Sequence, residues 1–167
     1  QRLRSRLADP ALATVLTILA PDFRLSGADP SHSPLSSLAL LGDLTFERFD
    51  LREGDLPPEE QANLKRAFDL CRTYAAEPEG WLLLAGEYGC GKTHLAAAIA
   101  NARVAMGQPA VFCVVPDLLD YLRAAFDQAS QARFDRRFDE VRNAPLLVLA
   151  DLGVESASPW VPHKLYQ

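Results

Sequence analysis

Residues 86–93 read Gly86-Glu87-Tyr88-Gly89-Cys90-Gly91-Lys92-Thr93 and fit G-x-x-x-x-G-K-[ST], the pattern of a phosphate-binding loop. Each residue type has a physical task. Glycines let successive backbone N–H groups turn toward one anion, Lys92 can reach β- and γ-phosphates, and the Thr93 hydroxyl is a ligand for Mg²⁺. A helix starting at the loop adds the positive end of its dipole. The flanks agree with this. Trp81-Leu82-Leu83-Leu84-Ala85 is a short apolar run of buried-strand type, and His94-Leu95-Ala96-Ala97-Ala98-Ile99-Ala100-Asn101-Ala102 consists mostly of strong helix formers. Strand, glycine loop and helix is the order the motif needs. The predicted nucleotide-binding residues are therefore Gly86, Glu87, Tyr88, Gly89, Cys90, Gly91, Lys92, Thr93 and His94, with ATP or ADP as ligand and Lys92 as the charge-neutralising group.

Outward from the loop, strands and helices alternate. Upstream, Leu64, Ala67, Phe68, Cys71, Tyr74 and Ala75 recur at helical spacing within residues 59 to 77, and Pro78-Glu79-Gly80 ends that helix. Downstream, Gly107-Gln108-Pro109 is a turn, Ala110 to Val115 a second buried-type strand, and Pro116 to Phe126 a second helix. Residues 129–142 read as a third, charged helix or helix-and-loop. Pro145-Leu146-Leu147-Val148-Leu149-Ala150-Asp151 is a third strand ending in an acid. This alternation predicts an α/β fold with a parallel sheet flanked by helices. Ligands of such sheets sit at the carboxyl ends of strands, where both the loop and Asp151 fall. An acid on a neighbouring strand can hold Mg²⁺ or the attacking water, so Asp151 is the second catalytic candidate beside Lys92, and the second metal candidate beside Thr93.

The chain of 167 residues, 49% hydrophobic and 23% charged, is long enough for one domain with a real core. A net charge of −5 argues against a generally basic nucleic-acid coat. Cys71, Cys90 and Cys113 show no metal-type spacing, which points to a reducing, cytoplasmic setting, and Cys90 reads as a small filler in the loop. No stretch is long enough to span a membrane. Ala11 to Ala20, the longest apolar run, reads as a buried or partner-binding helix. Together with Arg2, Arg4, Arg6 and the turn-rich Ser26 to Pro34, it suggests a helical N-terminal arm and linker over residues 1–44, followed by the core from residue 45 to 167. Gln1 at the front implies that further residues precede it.

Residues 45 to 167 resemble the AAA+ ATPase core of bacterial helicase loaders of the DnaC/DnaI type and of IstB-type transposition helper ATPases. The resemblance rests on Thr45-Phe46-Glu47-Arg48-Phe49, on Gly80 to Gly86 running into Gly89-Cys90-Gly91-Lys92-Thr93-His94-Leu95-Ala96, and on Val115-Pro116-Asp117-Leu118-Leu119. It continues through Phe138-Asp139-Glu140-Val141-Arg142, Asp151-Leu152-Gly153-Val154-Glu155 and Pro159-Trp160 to Lys164-Leu165. It implies a P-loop NTPase of the AAA+ kind that uses ATP and Mg²⁺ in DNA replication. The implied partners are a replicative helicase and single-stranded DNA, with a homo-oligomer if a full-length protein exists. A transposition helper and a non-hydrolysing nucleotide-binding adaptor are the alternatives.

Two departures qualify what the resemblance implies. The loaders carry two adjacent acids before Leu-Gly, whereas this chain reads Ala150-Asp151. In the family's register the metal acid is missing and Asp151 is the water-activating acid; by hydrophobic counting alone Asp151 is the metal acid with no second acid after it. Loss of a positioned general base costs on the order of 10²–10⁴-fold in rate, so hydrolysis is expected to suffer more than binding. The second departure is at the C-terminal end, where the AAA+ pattern continues with further strands that this chain lacks, one of them lying between the loop strand and the acid-bearing strand. Among the remaining residues, Phe46 and Phe49 read equally as adenine neighbours or as core. His94 reads as a helix residue near the phosphates. The mixed charges around Arg133, Phe134, Arg136, Arg137, Phe138 and Arg142 read as a solvated face rather than a DNA-binding strip.

Overall fold

The computed structural model describes residues 13–18, 36–126, 135, 138–139 and 141–152. Arg2, Arg4, Arg6, the turn-rich Ser26 to Pro34, Arg133, Phe134, Arg136, Arg137, Glu140 and everything from Gly153 onward, Glu155 included, lie outside the described residues. The elements are β1 (Ala13–Ile18), a short 3-10 turn (Ser37–Leu41), α1 (Pro58–Ala76), β2 (Trp81–Gly86), α2 (Lys92–Ala105), β3 (Val111–Val114), α3 (Val115–Phe126) and β4 (Leu147–Ala150).

Local chemistry accounts for α1 and α2. Pro58 opens α1, where a missing N–H costs nothing, and Glu59 and Glu60 sit in the first turn against the positive end of the dipole. Leu64, Ala67, Cys71 and Ala75 then form its buried stripe. The second helix, α2, begins directly at Lys92 and buries Leu95, Ala97, Ala98, Ile99 and Ala100, so it is covered over more of its circumference than α1.

One expectation is overturned. The apolar stretch within residues 11–20 is not helical where the structure describes it: Ala13–Ile18 is a strand, parallel to β2, in register from Ala13 opposite Trp81 to Ile18 opposite Gly86. Thr14, Val15, Thr17 and Ile18 are β-branched and fit an extended backbone better than a helix. The edge of β2 offers N–H and C=O groups that need partners, which a helix could not supply. Leu16 and Ile18 turn into the main core while Val15 stays 53% exposed, as strand alternation requires. Asn63 Nδ2 of α1 donates to the Thr17 carbonyl at 3.1 Å and fastens the strand from the helix side.

The second parallel pair is β3 with β4, in register from Val111 opposite Leu147 to Val114 opposite Ala150. Among the described residues these are two separate two-stranded ribbons with no ladder between them. Both lie against α2. Leu95 and Ile99 of that helix share a core with Leu16 and Ile18 of β1, Leu64 and Cys71 of α1, and Leu82 and Leu84 of β2. Ala97 and Ala100 share another with Phe112 of β3 and Val148 and Ala150 of β4. The far face of the β3–β4 ribbon is covered from α3, where Cys113, Leu118, Leu122 and Val141 cluster with Leu147 and Leu149. Parallel strands layered between helices are the α/β architecture that the alternation predicts. No helix among the described residues is long and apolar enough to cross a membrane.

Candidate phosphate-binding site

The loop between β2 and α2 is shaped by the glycines at its two ends. Gly86 has φ 148°, and a Cβ placed there would lie 2.3 Å from the Ile18 carbonyl oxygen and 2.9 Å from Cys90 Sγ. No other residue fits between the strand and the loop. Gly91 has φ 95°, ψ 3° and is the left-handed residue from which α2 starts; a Cβ there would meet Phe49 Cε2 at 2.8 Å. Only glycine takes both the conformation and the close approach at little cost. Beyond it, the first N–H groups of α2 have no carbonyl one turn earlier within the helix, and they concentrate positive potential at the loop.

The side chains follow. Lys92 Nζ donates to the Glu87 carbonyl at 2.6 Å and lies 3.6 Å from Cys90 Sγ, so its ammonium is folded back across the loop. A phosphate oxygen is a charged acceptor and competes favourably with that neutral carbonyl. Thr93 is exposed in the first turn of α2, while Glu87 and Tyr88 are exposed on the loop. Cys90 is 4% exposed and belongs to the core with Leu16, Ile18 and Leu95, as its reading as a filler anticipates. His94 Nε2 lies 2.8 Å from the Thr45 carbonyl; a carbonyl only accepts, so that nitrogen carries the hydrogen.

The aromatic residues ahead of α1 act as supports. Phe46 and Phe49 each lie 5.6 Å from the Phe68 ring, the first edge-on and the second tilted. Phe49 also meets the His94 ring edge-on at 5.1 Å. Asn101 Nδ2 donates to the Leu41 and Leu44 carbonyls at 2.8 and 3.1 Å. Residues 41–49 are thereby pinned along α2. Sequence reading singled out neither Asn101 nor Ile18, and it left Phe49 undecided. The only advance signal was the spacing of Phe46, Phe49 and Phe68, which does not name their neighbours.

Asp151 lies at the carboxyl end of the β3–β4 ribbon. It follows β4 directly, is exposed and adopts φ 58°, a left-handed conformation that aspartate tolerates better than most residues. Among the described residues no hydrogen bond or ion pair joins it to the loop. Ala150 is half-buried and packs in the cluster that holds Ala97, which lies one turn beyond Thr93 on the same face of α2. No group of three or more His, Cys, Asp or Glu side chains converges on a metal position among the described residues.

Four ionisable groups among the described residues are displaced, Tyr74 among them, raised by burial. Burial pushes the Cys71 thiol up to about 12. Burial, with the Asp117 charge adding to it, pushes Cys113 up to about 11. Glu47 is held below the usual carboxylate range by its own backbone N–H and by the Thr45 hydroxyl. Both cysteines are inert thiols at neutral pH rather than nucleophiles.

A family model described as IstB-like ATP binding protein matches residues 37–163. The chain belongs to that family. Curated relatives of this IstB-like chain include the replicative helicase loader DnaI of Bacillus subtilis, 27% identical over 83% of this chain and 43% of its own length. The replicative helicase loader DnaC of Escherichia coli is 28% identical over 83% of this chain and 50% of its own length. The uncharacterized protein YdaV of Escherichia coli is 39% identical over a shorter stretch, 42% of this chain and 27% of its own. The chain thus spans about half the length of the helicase loaders it matches. No solved structure matches it.

Proposed function

We propose that this chain binds MgATP and MgADP in the loop Gly86–Thr93 and works as a helicase-loader-like ATP-binding protein in DNA replication. The observation that carries the proposal is the loop geometry: three glycines with positive φ, Gly86, Gly89 and Gly91, turn the chain from β2 straight into α2, with Lys92 folded over the turn. In this reading the loop amides and the start of α2 hold the phosphates, and Lys92 swings from the Glu87 carbonyl onto β- and γ-oxygens. Thr93 would hold Mg²⁺, which supplies charge neutralisation at the phosphates when bound. Glu87, Tyr88, Cys90 and His94 complete the nucleotide site as wall and support. The N-terminal residues 1–44 serve as a partner-binding part and residues 45–167 as the ATPase core. By family the partners are a replicative helicase and single-stranded DNA in the cytoplasm, with self-association in a longer product.

Asp151 takes the water-activating role and Ala150 occupies the metal acid's place. The packing of Ala150 one turn beyond Thr93 supports that register. A methyl group cannot ligate metal, so ATP is bound more readily than it is cleaved. This same observation favours the second reading, an adaptor in which nucleotide orders the fold without turnover. A transposition helper shares the site and differs in its DNA partner.

The test is calorimetric titration of the full chain and of Lys92→Ala with MgATP and MgADP. Charge-assisted hydrogen bonds contribute roughly 1.5–3 kcal/mol, so Lys92→Ala is expected to weaken binding roughly tenfold to a hundredfold. Equal affinities in a folded variant would remove the phosphate site from the reading.

A further inference from the structure

The two glycine hinges of the loop are both held by the chain that precedes α1. At Gly86 the neighbour is the Ile18 carbonyl of β1; at Gly91 it is the Phe49 ring. These two contacts leave no room for the hinges to move toward their neighbours. We propose that Phe49 is a positioning residue for nucleotide binding, which props Gly91 so that the loop is already curled before phosphate arrives. The proposal rests on the nucleotide-binding reading above and adds a determinant of affinity that acts through Gly91.

The geometry is specific to Phe49. Its Cε2 and Cζ lie 2.8 and 3.0 Å from where a Gly91 Cβ would be, so the para edge of the ring points at the hinge. The ring is itself fixed on two sides, edge-on by His94 at 5.1 Å and by Phe68 at 5.6 Å. His94 is fixed in turn by the Thr45 carbonyl at 2.8 Å, which closes a short circuit from residue 45 to the first turn of α2 and back. Phe46 sits in the same aromatic cluster, 5.6 Å from Phe68, yet has no atom within 4 Å of that Cβ position. The two phenylalanines therefore separate core stability from support of the loop.

A loop that is curled for only part of the time binds more weakly in proportion to that fraction. Removing the prop is expected to lower affinity by raising the population of uncurled loop, with no change in the groups that meet phosphate. Phe49→Tyr makes the argument sharper: the added hydroxyl sits on the para carbon that faces Gly91, so overpacking is expected to displace the hinge even though the aromatic ring is kept. Phe49→Met retains length and apolar character without that oxygen.

The experiment measures MgADP affinity by calorimetry and urea unfolding without nucleotide, on the full chain carrying Phe46→Ala, Phe49→Ala, Phe49→Tyr, Phe49→Met or Lys92→Ala. Phe46→Ala and Phe49→Ala are expected to lower stability alike. Among the phenylalanine variants only Phe49→Ala and Phe49→Tyr are expected to weaken binding by the folded protein, by about tenfold or more, with Phe49→Met largely restoring it, while Lys92→Ala weakens it directly. If Phe49→Ala does not fold, the Tyr and Met pair carries the same comparison. Affinity that falls equally for Phe46→Ala and Phe49→Ala, or that is unmoved by Phe49→Tyr, overturns the positioning role while leaving the phosphate site intact. A parent chain that does not bind MgADP, or that binds it as well after Lys92→Ala, overturns the nucleotide reading and the prop together.

Discussion

Restoring a carboxylate at residue 150 tests the assignment of the two acid positions most directly. Ala150 ends β4, is half-buried, and packs in a cluster with Ala97, Ala100 and Phe112. In Ala150→Asp a charged group enters that apolar setting next to the face of α2 that carries Thr93. Without metal, placing a polar group there costs about 1–3 kcal/mol on the scale of protein mutational data. At this chain length that lowers the melting temperature by about 2–4 °C per kcal/mol. With Mg²⁺ and nucleotide present, the new carboxylate gains a cation partner, so the variant is expected to regain more stability on adding MgADP than the parent does. A correctly held metal contributes several kcal/mol of charge stabilisation in the transition state. Turnover is accordingly expected to rise on the order of 10²-fold or more, since 1.4 kcal/mol is about a factor of ten. The assays are thermal unfolding with ADP in Mg²⁺ or in chelator, and phosphate release from MgATP. Adding Asp151→Asn to Ala150→Asp should erase the gain, because water activation is then lost. Unchanged turnover and unchanged Mg²⁺ dependence, in a variant that binds nucleotide normally, would refute the register and return Asp151 to the metal position.

Two further expectations concern the framework. In β1, Leu16→Ala is expected to cost about 2–5 kcal/mol because Leu16 is a buried core member, whereas Val15→Ala, at a residue 53% exposed, should stay within about 0.5 kcal/mol; urea unfolding of the pair checks the strand alternation, and equal costs would contradict it. For the thiols, Cys71 is raised from 9.0 to about 12, so the unfolded thiol loses its proton first and stability falls as pH rises between about 9 and 12. Each raised thiol contributes at most about 1.4 kcal/mol per pH unit; Cys71→Ala should flatten the alkaline slope of urea stability, and an unchanged slope would contradict the burial argument.

What the sequence disclosed was local, and what it withheld was not. The strand-loop-helix unit around Gly86–Thr93, α1, β3, α3 and β4 all carry their signal within a dozen neighbouring residues: apolar runs, helical spacing, and turns at Gly and Pro. The β1 strand was misread because an apolar decad reads alike for a short helix and a strand, and the deciding partner, the edge of β2, lies more than sixty positions away. The four β-branched residues in Ala13–Ile18 were the available signal, outweighed by the length of the apolar run. The site divides the same way. The motif named Lys92, Thr93 and the glycines from their order alone. It did not say why Gly86 and Gly91 tolerate no side chain, since the obstructing groups, Ile18 and Phe49, come from other parts of the chain.

The placement of Asp151 is the furthest from local reading, because no ladder connects its ribbon to the strand that feeds the loop. The helix α2 spans both. Its Leu95 and Ile99 grip the β1–β2 side and its Ala97 and Ala100 lie against Phe112, Val148 and Ala150. The alanine-rich composition of that helix, which sequence reading took as simple helix propensity, has a packing reason: small side chains at Ala97 and Ala100 face the β3–β4 ribbon, while the larger Leu95 and Ile99 fill the space over β1 and β2. Among the described residues it is side-chain packing, along α2 and at Leu146 and Val148, and not hydrogen-bond register that relates the phosphate loop to the acid end of β4. Enlarging Ala97 or Ala100 is therefore expected to shift the β3–β4 ribbon, and Asp151 with it, relative to Lys92.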